Sequence, residues 1–170
     1  ETPTEAAICG LIRAAVSTSK KDECILWGEM YAPQVAIHEV RTYVMRHNNG
    51  EGNDEYGYEN AHMIAPTERF WKHYVAMLVK YDYVRELSDI MPWWEELEYR
   101  PRSDVLLQLL LGLPEGIGER HVMHVEKLQR EAVRLNLKDT RNRGREQWPW
   151  PTVEEVRAAR SWRGDVHRHR

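Results

Sequence analysis

The sequence predicts an all-α protein, a short solenoid of helical hairpins with a C-terminal extension. Three observations favour this fold class. Apolar residues recur at helical spacing along most of the 170 residues, no segment alternates with the two-residue period of a strand, and Pro33, Pro66 and Pro101 are spaced by 33 and 35 residues. One hairpin cannot bury its own apolar face, so neighbouring hairpins stack into a continuous core. We expect a helical repeat domain over residues 1–140 and a basic linker, short helix and tail over residues 141–170.

Capping and breaking residues divide the first part of the chain into helices. A first helix presents Ile8 on its apolar face. Ser19, with an acidic residue three positions later, resembles a capping box that opens a second helix. Pro33 is expected to begin a third helix, because proline suits the first helical turn. Residues 48–57 are rich in Asn, Gly and acidic residues, and they predict a loop before a short helix near residues 60–64.

The clearest helical pair follows Pro66. Apolar residues at intervals of three and four predict one helix before Asp82 and another after it. Pro92 lies inside the second run, and we expect it to kink or split that helix. The side chains predicted to be buried in this pair are Tyr74, Met77, Leu78, Leu87 and Met91.

The remaining sequence predicts three more helices. A short, very apolar helix follows Pro101, and a Pro/Gly turn connects it to a longer amphipathic helix. After a polar linker, Thr152 and Glu155 form a capping box for a last short helix. These elements are the helix at 105–113, the turn at 114–118, the helix that ends near 136, the linker at 139–146 and the helix that ends near 162.

Two pairs of segments carry a family resemblance. Residues 67–80 (TERFWKHYVAMLVK) and 95–101 (EELEYRP) open and close a unit that resembles a pentatricopeptide repeat. Residues 4–30 resemble a second such repeat with an altered turn between its helices. Residues 34–65 and 102–139 are poorer copies. The resemblance implies a right-handed stack of helical hairpins.

The chain as a whole also resembles the small extra subunits on the catalytic head of the mitochondrial ATP synthase in kinetoplastids and their euglenozoan relatives. The likeness rests on size, on degenerate repeats, on the lack of a nucleotide motif and on a start at Glu1 instead of Met. A trimmed start or a removed targeting segment would explain Glu1. The resemblance implies a non-catalytic accessory subunit for ATP synthesis in the mitochondrial matrix. It would dock on the outside of the α subunit of the inner-membrane complex, without inserting into the membrane.

Two alternatives stay open: an organellar RNA-binding pentatricopeptide protein, and a helical adaptor in another mitochondrial assembly such as the ribosome. Members that bind single-stranded RNA read one base per repeat with two or three side chains. At the matching places this chain has Lys72 and Arg102, and it has Ala6 early in the first repeat. These do not form the expected pairs. The body of the chain is also acidic, which disfavours phosphate binding. We therefore expect a protein partner and no nucleic acid.

The C-terminal part differs in charge from the rest. The whole chain has a net charge of −3, whereas residues 134–170 contain ten Lys/Arg and five Asp/Glu. In this basic part, Trp148 and Trp150 lie beside prolines. Tryptophan with arginine neighbours is typical of interface anchors. Trp148 and Trp150 are therefore the predicted partner-binding residues, with packing against the last repeat as the alternative.

The sequence predicts no catalytic residue, no cofactor and no metal site. It contains no P-loop, no dinucleotide fingerprint and no hydrolase or zinc-protease motif. The longest apolar run is far shorter than the roughly 20 residues of a membrane-spanning helix. Three pairs with ligand-like or redox-like spacing are interpreted as ordinary surface or core residues: Glu59 with His62, His121 with His124, and Cys9 with Cys24.

Overall fold

The computed structural model describes residues 5–17, 27–49, 66–135 and 144–168. Within these ranges every regular element is helical and no strand occurs, which confirms the all-α class. In chain order the α-helices are α1 (Glu5–Ser17), α2 (Trp27–Asn49), α3 (Glu68–Lys80), α4 (Val84–Glu96), α5 (Ser103–Gly112), α6 (Ile117–Arg134) and α7 (Val153–Arg168), with a 3-10 turn at Gly144–Gln147 before α7.

The chain divides into two compact units, Glu1–Tyr81 and Asp82–Arg170. The first contains α1, α2 and α3, and the second contains α4 to α7. The two helices of the best-matching repeat, α3 and α4, therefore belong to different units. The predicted domain boundary between residues 140 and 141 lies outside the described residues.

In the first unit α1 packs against both α2 and α3. The two ends of α3 are tied to the matching ends of α1. The backbone N–H of Thr67 donates to the Glu5 carboxylate at 3.3 Å, and at the other end the Tyr81 hydroxyl donates to the carbonyl of Ala15. Helices α1 and α3 therefore run in the same direction. The core of this unit includes Ile8, Ile12, Val40, Val44, Phe70, Trp71 and Tyr74.

In the second unit α5 contacts α4, α6 and α7. This position explains why α5 is the most apolar helix: Leu106, Leu109 and Leu110 are all fully buried. Helix α6 exposes one side to solvent and buries only one face, which includes Val122 and Val125. Helix α7 follows the same amphipathic rule, with Val153 and Val156 buried.

Several sequence predictions are confirmed. Tyr74, Met77, Leu78 and Leu87 are completely buried, and Met91 is 3% exposed. The capping box that opens α7 is present in both directions. The backbone N–H of Thr152 donates to Glu155 at 2.8 Å, and the N–H of Glu155 donates to the Thr152 hydroxyl at 3.2 Å.

The predicted helix start at Pro33 is wrong, and the predicted split at Pro92 does not occur. Pro33 does not begin a helix but lies within α2, and Pro92 does not split α4, which continues to Glu96. An internal proline removes one backbone donor and costs roughly 3 kcal/mol. Packing of the surrounding helix offsets that cost: Pro33 is itself buried, and although Pro92 is exposed, the nearby Met91 and Trp94 of α4 are buried.

The last helix is longer than predicted, since α7 continues past Trp162 to Arg168. No proline interrupts it, and a single internal glycine, Gly164, costs only about 1 kcal/mol. The predicted loop at 48–57 is wrong at its start, because residues 48–49 belong to α2. The rest of that loop, the predicted short helix near 60–64, the predicted capping box at Ser19 and much of the predicted linker lie outside the described residues. Among the helices that are described, none combines the length and hydropathy that spanning a bilayer requires.

Replacing Leu78 by alanine is expected to lower the free energy of unfolding by about 2–5 kcal/mol, because Leu78 is fully buried and truncation leaves a cavity. Urea denaturation followed by circular dichroism measures the change. Leu11→Ala is the matched control in the same unit, since Leu11 is 38% exposed, and it should cost much less. A loss below about 0.5 kcal/mol for Leu78→Ala would contradict the packing of α3.

Candidate functional site

The predicted partner-binding residues lie in the segment Gly144–Arg168, here called the arm. Trp148 is only 6% exposed, and its ring meets the edge of Trp94 from α4 with centroids 5.7 Å apart. Trp150 is half-buried and stacks on Trp148 at 5.8 Å. The structure thus brings the two predicted residues together, with Trp148 toward the interior and Trp150 on the outside.

Arg145 organises the turn that carries both tryptophans. Its carbonyl accepts a hydrogen bond from the Trp150 indole N–H at 2.6 Å and from the backbone N–H of Trp148 at 3.3 Å. Its guanidinium lies 5.6 Å from the centroid of the Trp150 ring, within the range of a cation–π contact. Backbone and side chain of one residue therefore fix the orientation of Trp150.

The Arg145 side chain also attaches the arm to two helices. Its Nη2 donates to Nδ1 of His121 in α6 at 2.7 Å and to Sδ of Met91 in α4 at 3.4 Å. Its Nε lies 3.6 Å from the Glu95 carboxylate. A guanidinium has no acceptor, so His121 must accept at Nδ1 and carry its proton on Nε2. This contact requires neutral histidine.

The environment of His121 favours the neutral ring. Burial lowers the pKa of His121, and the positive charges of Arg145 and His124 lower it further. The folded state therefore binds fewer protons at this position than the unfolded state, whose histidines titrate near about 6.5. The stability from this contact is complete above that value and is lost as the pH falls through the lower pKa of the folded state.

We expect the chain to lose stability between about pH 7.5 and about pH 5.5, and the His121→Gln variant to lose less over the same interval. Urea midpoints at the two pH values measure both. His38→Gln is the control, because His38 is exposed on α2 in the other unit. Burial and the neighbouring arginines also lower the pKa of His73. Protonation of His73 therefore accounts for the loss of stability that remains in the His121→Gln variant. Equal pH dependence in the variant and the original chain would contradict the role of His121.

The side chain of Arg160 attaches α7 to the other helices of the second unit. Nε of Arg160 lies 2.7 Å from the Glu119 carboxylate at the start of α6. Its Nη atoms donate to the carbonyls of Leu110, Leu111 and Leu113, each at 3.2 Å. Carbonyls at a helix C-terminus lack partners within their own helix. Arg160 therefore caps α5 and joins α5, α6 and α7 through one side chain.

Glu119 and the glycines around it explain how α6 comes so close to α5. Glu119 accepts a hydrogen bond from the backbone N–H of Gly116 at 2.8 Å. Burial alone would raise its pKa, but the hydrogen bonds and the charge of Arg160 prevail and the pKa lies below the ordinary value. A Cβ on Gly118 would lie 2.5 Å from the carbonyl oxygen of Leu110. Only glycine allows this approach.

Three side chains form the solvent-accessible surface of the site: Trp150, Glu95 and the exposed part of Arg145. Its chemistry is that of a binding surface: an aromatic ring, a cation and a carboxylate held in place by the core. Within the described ranges, no three His, Cys, Asp or Glu side chains group as metal ligands. Burial and the nearby Glu5 charge raise the pKa of Cys9. Glu59, His62 and Cys24 lie outside the described residues.

Sequence reasoning missed most of what holds the arm. It interpreted His121, paired with His124, as an ordinary surface or core residue and did not single out Glu119, Arg145 or Arg160. The glycine three residues before Glu119 is a helix-start signal that would have indicated its capping role. No sequence signal pairs Arg160 with residues about fifty positions earlier.

The fold and the site together define a helical protein whose aromatic arm is anchored to α4 and α6. No protein-family model matches the chain, and no match is found among curated proteins or among solved structures.

Proposed function

We propose that the chain is a non-catalytic accessory subunit of the mitochondrial ATP synthase catalytic head and that it docks on the outside of an α subunit. The observation that carries the proposal is the arrangement of the first unit. Helix α1 lies at the centre and packs against α2 and α3. Helices α1 and α3 run in the same direction, and both lie in segments that resemble pentatricopeptide repeats. Alternate helices also run in the same direction when hairpins stack.

The finer fold belongs to the same proposal: a short pentatricopeptide-like solenoid with a C-terminal extension. Stacked hairpins leave long surfaces exposed for other molecules. An accessory subunit needs such surfaces and needs no reacting groups. Localisation in the matrix follows from the partner, since the catalytic head lies there.

The arm supplies the proposed contact. Trp150 offers a large apolar area that the Trp148 ring and the Arg145 carbonyl already hold in position, so little conformational freedom is lost on binding. Aromatic and arginine side chains in such settings dominate interface energetics. In this proposal the Trp148 ring stacks on the buried side of Trp150 and holds it in position. Trp150 and Arg145 contact the partner.

Affinity purification of the tagged chain from mitochondria, followed by mass spectrometry, tests the proposal. The α and β subunits of the ATP synthase should co-purify. Trp150→Ala should weaken the association by about 2 kcal/mol or more, roughly 30-fold in Kd. Trp162→Ala is the control on the same arm, because Trp162 is 70% exposed and far along α7. Recovery of ribosomal proteins instead of ATP synthase subunits would favour the adaptor alternative.

The RNA-binding alternative has its own test. Lys72 and Arg102 are exposed, and Arg102 pairs with Asp104 at 3.5 Å. Neither offers the amide or hydroxyl groups of a base-reading pair. We expect no sequence-selective binding of single-stranded RNA in filter binding with randomised pools. Any residual binding should decline steeply with salt. Selective binding that persists at about 200 mM salt would contradict the protein-subunit proposal.

A further inference from the structure

Helix α6 carries a row of positive charge on its exposed side. Arg120, Lys127, Arg130 and Arg134 are all exposed, and at 3.6 residues per turn they lie within about 80° of one another around the helix. This row is here called the basic face. Glu131 is the one acidic residue that shares it. The opposite side of α6 is the buried side, so the basic face points to solvent.

The cations of the basic face have little to neutralise them. Among the described residues, no acidic side chain forms an ion pair with Arg120, Lys127 or Arg134. Nε of Arg130 donates only to the carbonyl of Glu126 in its own helix, at 3.3 Å. A row of positive charges that is only partly balanced by one glutamate attracts anionic partners.

A cleft of about 750 Å³ lies at the N-terminal end of the basic face, between α6 and α7. Arg120 and Met123 line it from α6, and Arg157 and Ser161 line it from α7. Met123 is 51% exposed. The ion pair of Arg160 with Glu119 also lines the cleft and holds its two walls together. The cleft therefore has fixed walls, an apolar contact point and two arginines that the described residues leave without an ion pair.

We propose that this cleft and the basic face bind an acidic segment of a partner protein. Its carboxylates would pair with Arg120 and Arg157, and one apolar side chain would lie against Met123. Arginine pairs with carboxylates in bidentate geometry. A run of acidic residues would continue along Lys127, Arg130 and Arg134.

Other anionic partners fit the cleft less well. Single-stranded RNA is commonly bound by stacking of its bases on aromatic rings, and none of the described residues that line the cleft is aromatic. A lipid surface is flat and would leave the cleft unfilled. An acidic polypeptide has both the shape and the charge.

This surface differs from the Trp150 contact and does not depend on which complex the chain joins. A failed co-purification with ATP synthase would leave it unaffected. Its own failure would leave the subunit assignment unaffected, since the two are read by different assays.

Fluorescence anisotropy with the full chain tests the proposal. The probe is a fluorescein-labelled peptide rich in Glu and Leu, and the matched probe has Gln at every Glu. The Glu peptide should bind and the Gln peptide should not. The double variant Arg120→Glu/Arg157→Glu should weaken binding at least about tenfold, which is about 1.4 kcal/mol. The double variant Arg85→Glu/Arg100→Glu changes the net charge equally at exposed positions outside the cleft and should retain binding within about twofold.

Thermal melting checks that each variant is folded. If the reversed-charge variant unfolds, Arg120→Gln/Arg157→Gln replaces it, with the same direction of effect expected. Equal weakening by the Arg85/Arg100 variant would show that only net charge matters and would overturn the proposal. Failure of the chain to bind either peptide would also overturn the proposal. So would binding of an RNA oligonucleotide or of cardiolipin vesicles through Arg120 and Arg157 in preference to the Glu peptide.

Discussion

Replacing Arg160 by alanine is expected to lower the free energy of unfolding by about 3–5 kcal/mol, the typical cost of removing one partner from a buried ion pair. The variant leaves Glu119 charged with only 8% of its side chain exposed. It also leaves three carbonyls at the end of α5 without the Arg160 hydrogen bonds. Urea denaturation followed by circular dichroism measures the loss.

Two further variants separate the contributions at this position. Arg157→Ala removes an exposed arginine one turn earlier in α7 and should change stability by no more than about 0.5 kcal/mol. Arg160→Lys keeps the charge but not the planar set of five donors, so it should fall between alanine and the original chain. A loss below about 1 kcal/mol for Arg160→Ala would show that α7 is not held by this contact.

Replacing Trp148 by alanine is expected to cost about 3–5 kcal/mol, as for other buried tryptophans. The change removes the edge contact with Trp94 and the surface on which Trp150 stacks. Because Trp148 supports Trp150 in the proposed interface, binding should weaken together with stability.

Trp162→Ala provides the comparison, since this ring is 70% exposed on α7 and its loss should change stability by about 0.5 kcal/mol or less. Thermal and urea denaturation of both variants give the difference directly. If Trp148→Ala were as stable as Trp162→Ala, the arm would not be part of the core. The predicted partner contact would then include Trp148 as well as Trp150.

Local periodicity was sufficient to predict the helices of the central region. The intervals between Phe70, Tyr74 and Leu78 indicated the buried face of α3, and those residues are fully buried. The capping box at Thr152 located the start of α7 correctly. Such signals succeed because the physical cause lies within a few residues of its effect.

Proline was a misleading signal because the free-energy cost of a proline arises within its own helix, whereas the packing that offsets this cost involves other helices. Pro33 was expected to begin a helix and Pro92 to kink or split one, yet both lie inside helices. The burial that offsets the lost hydrogen bond comes from residues distant in sequence, and no window around the proline reveals it.

The candidate site could be predicted only in part. Trp148 and Trp150 were identified from composition and neighbours, and the structure places them in contact. The sequence could not distinguish which ring faces inward, because that depends on Trp94 from another helix. Arg145 with His121 and Arg160 with Glu119 depend on how α6 and the arm meet, so spacing rules could not have paired them.

The pairing of Arg160 with Glu119 has a consequence for inherited variation in the gene. A nonsense codon shortly before the arm would leave the coding sequence of α1 to α6 intact. Yet the product would lack the residues that cap α5 and cover Trp94. A shortened polypeptide of this kind should be degraded by cellular proteases instead of accumulating. Alleles truncated before the arm should therefore resemble a complete gene deletion.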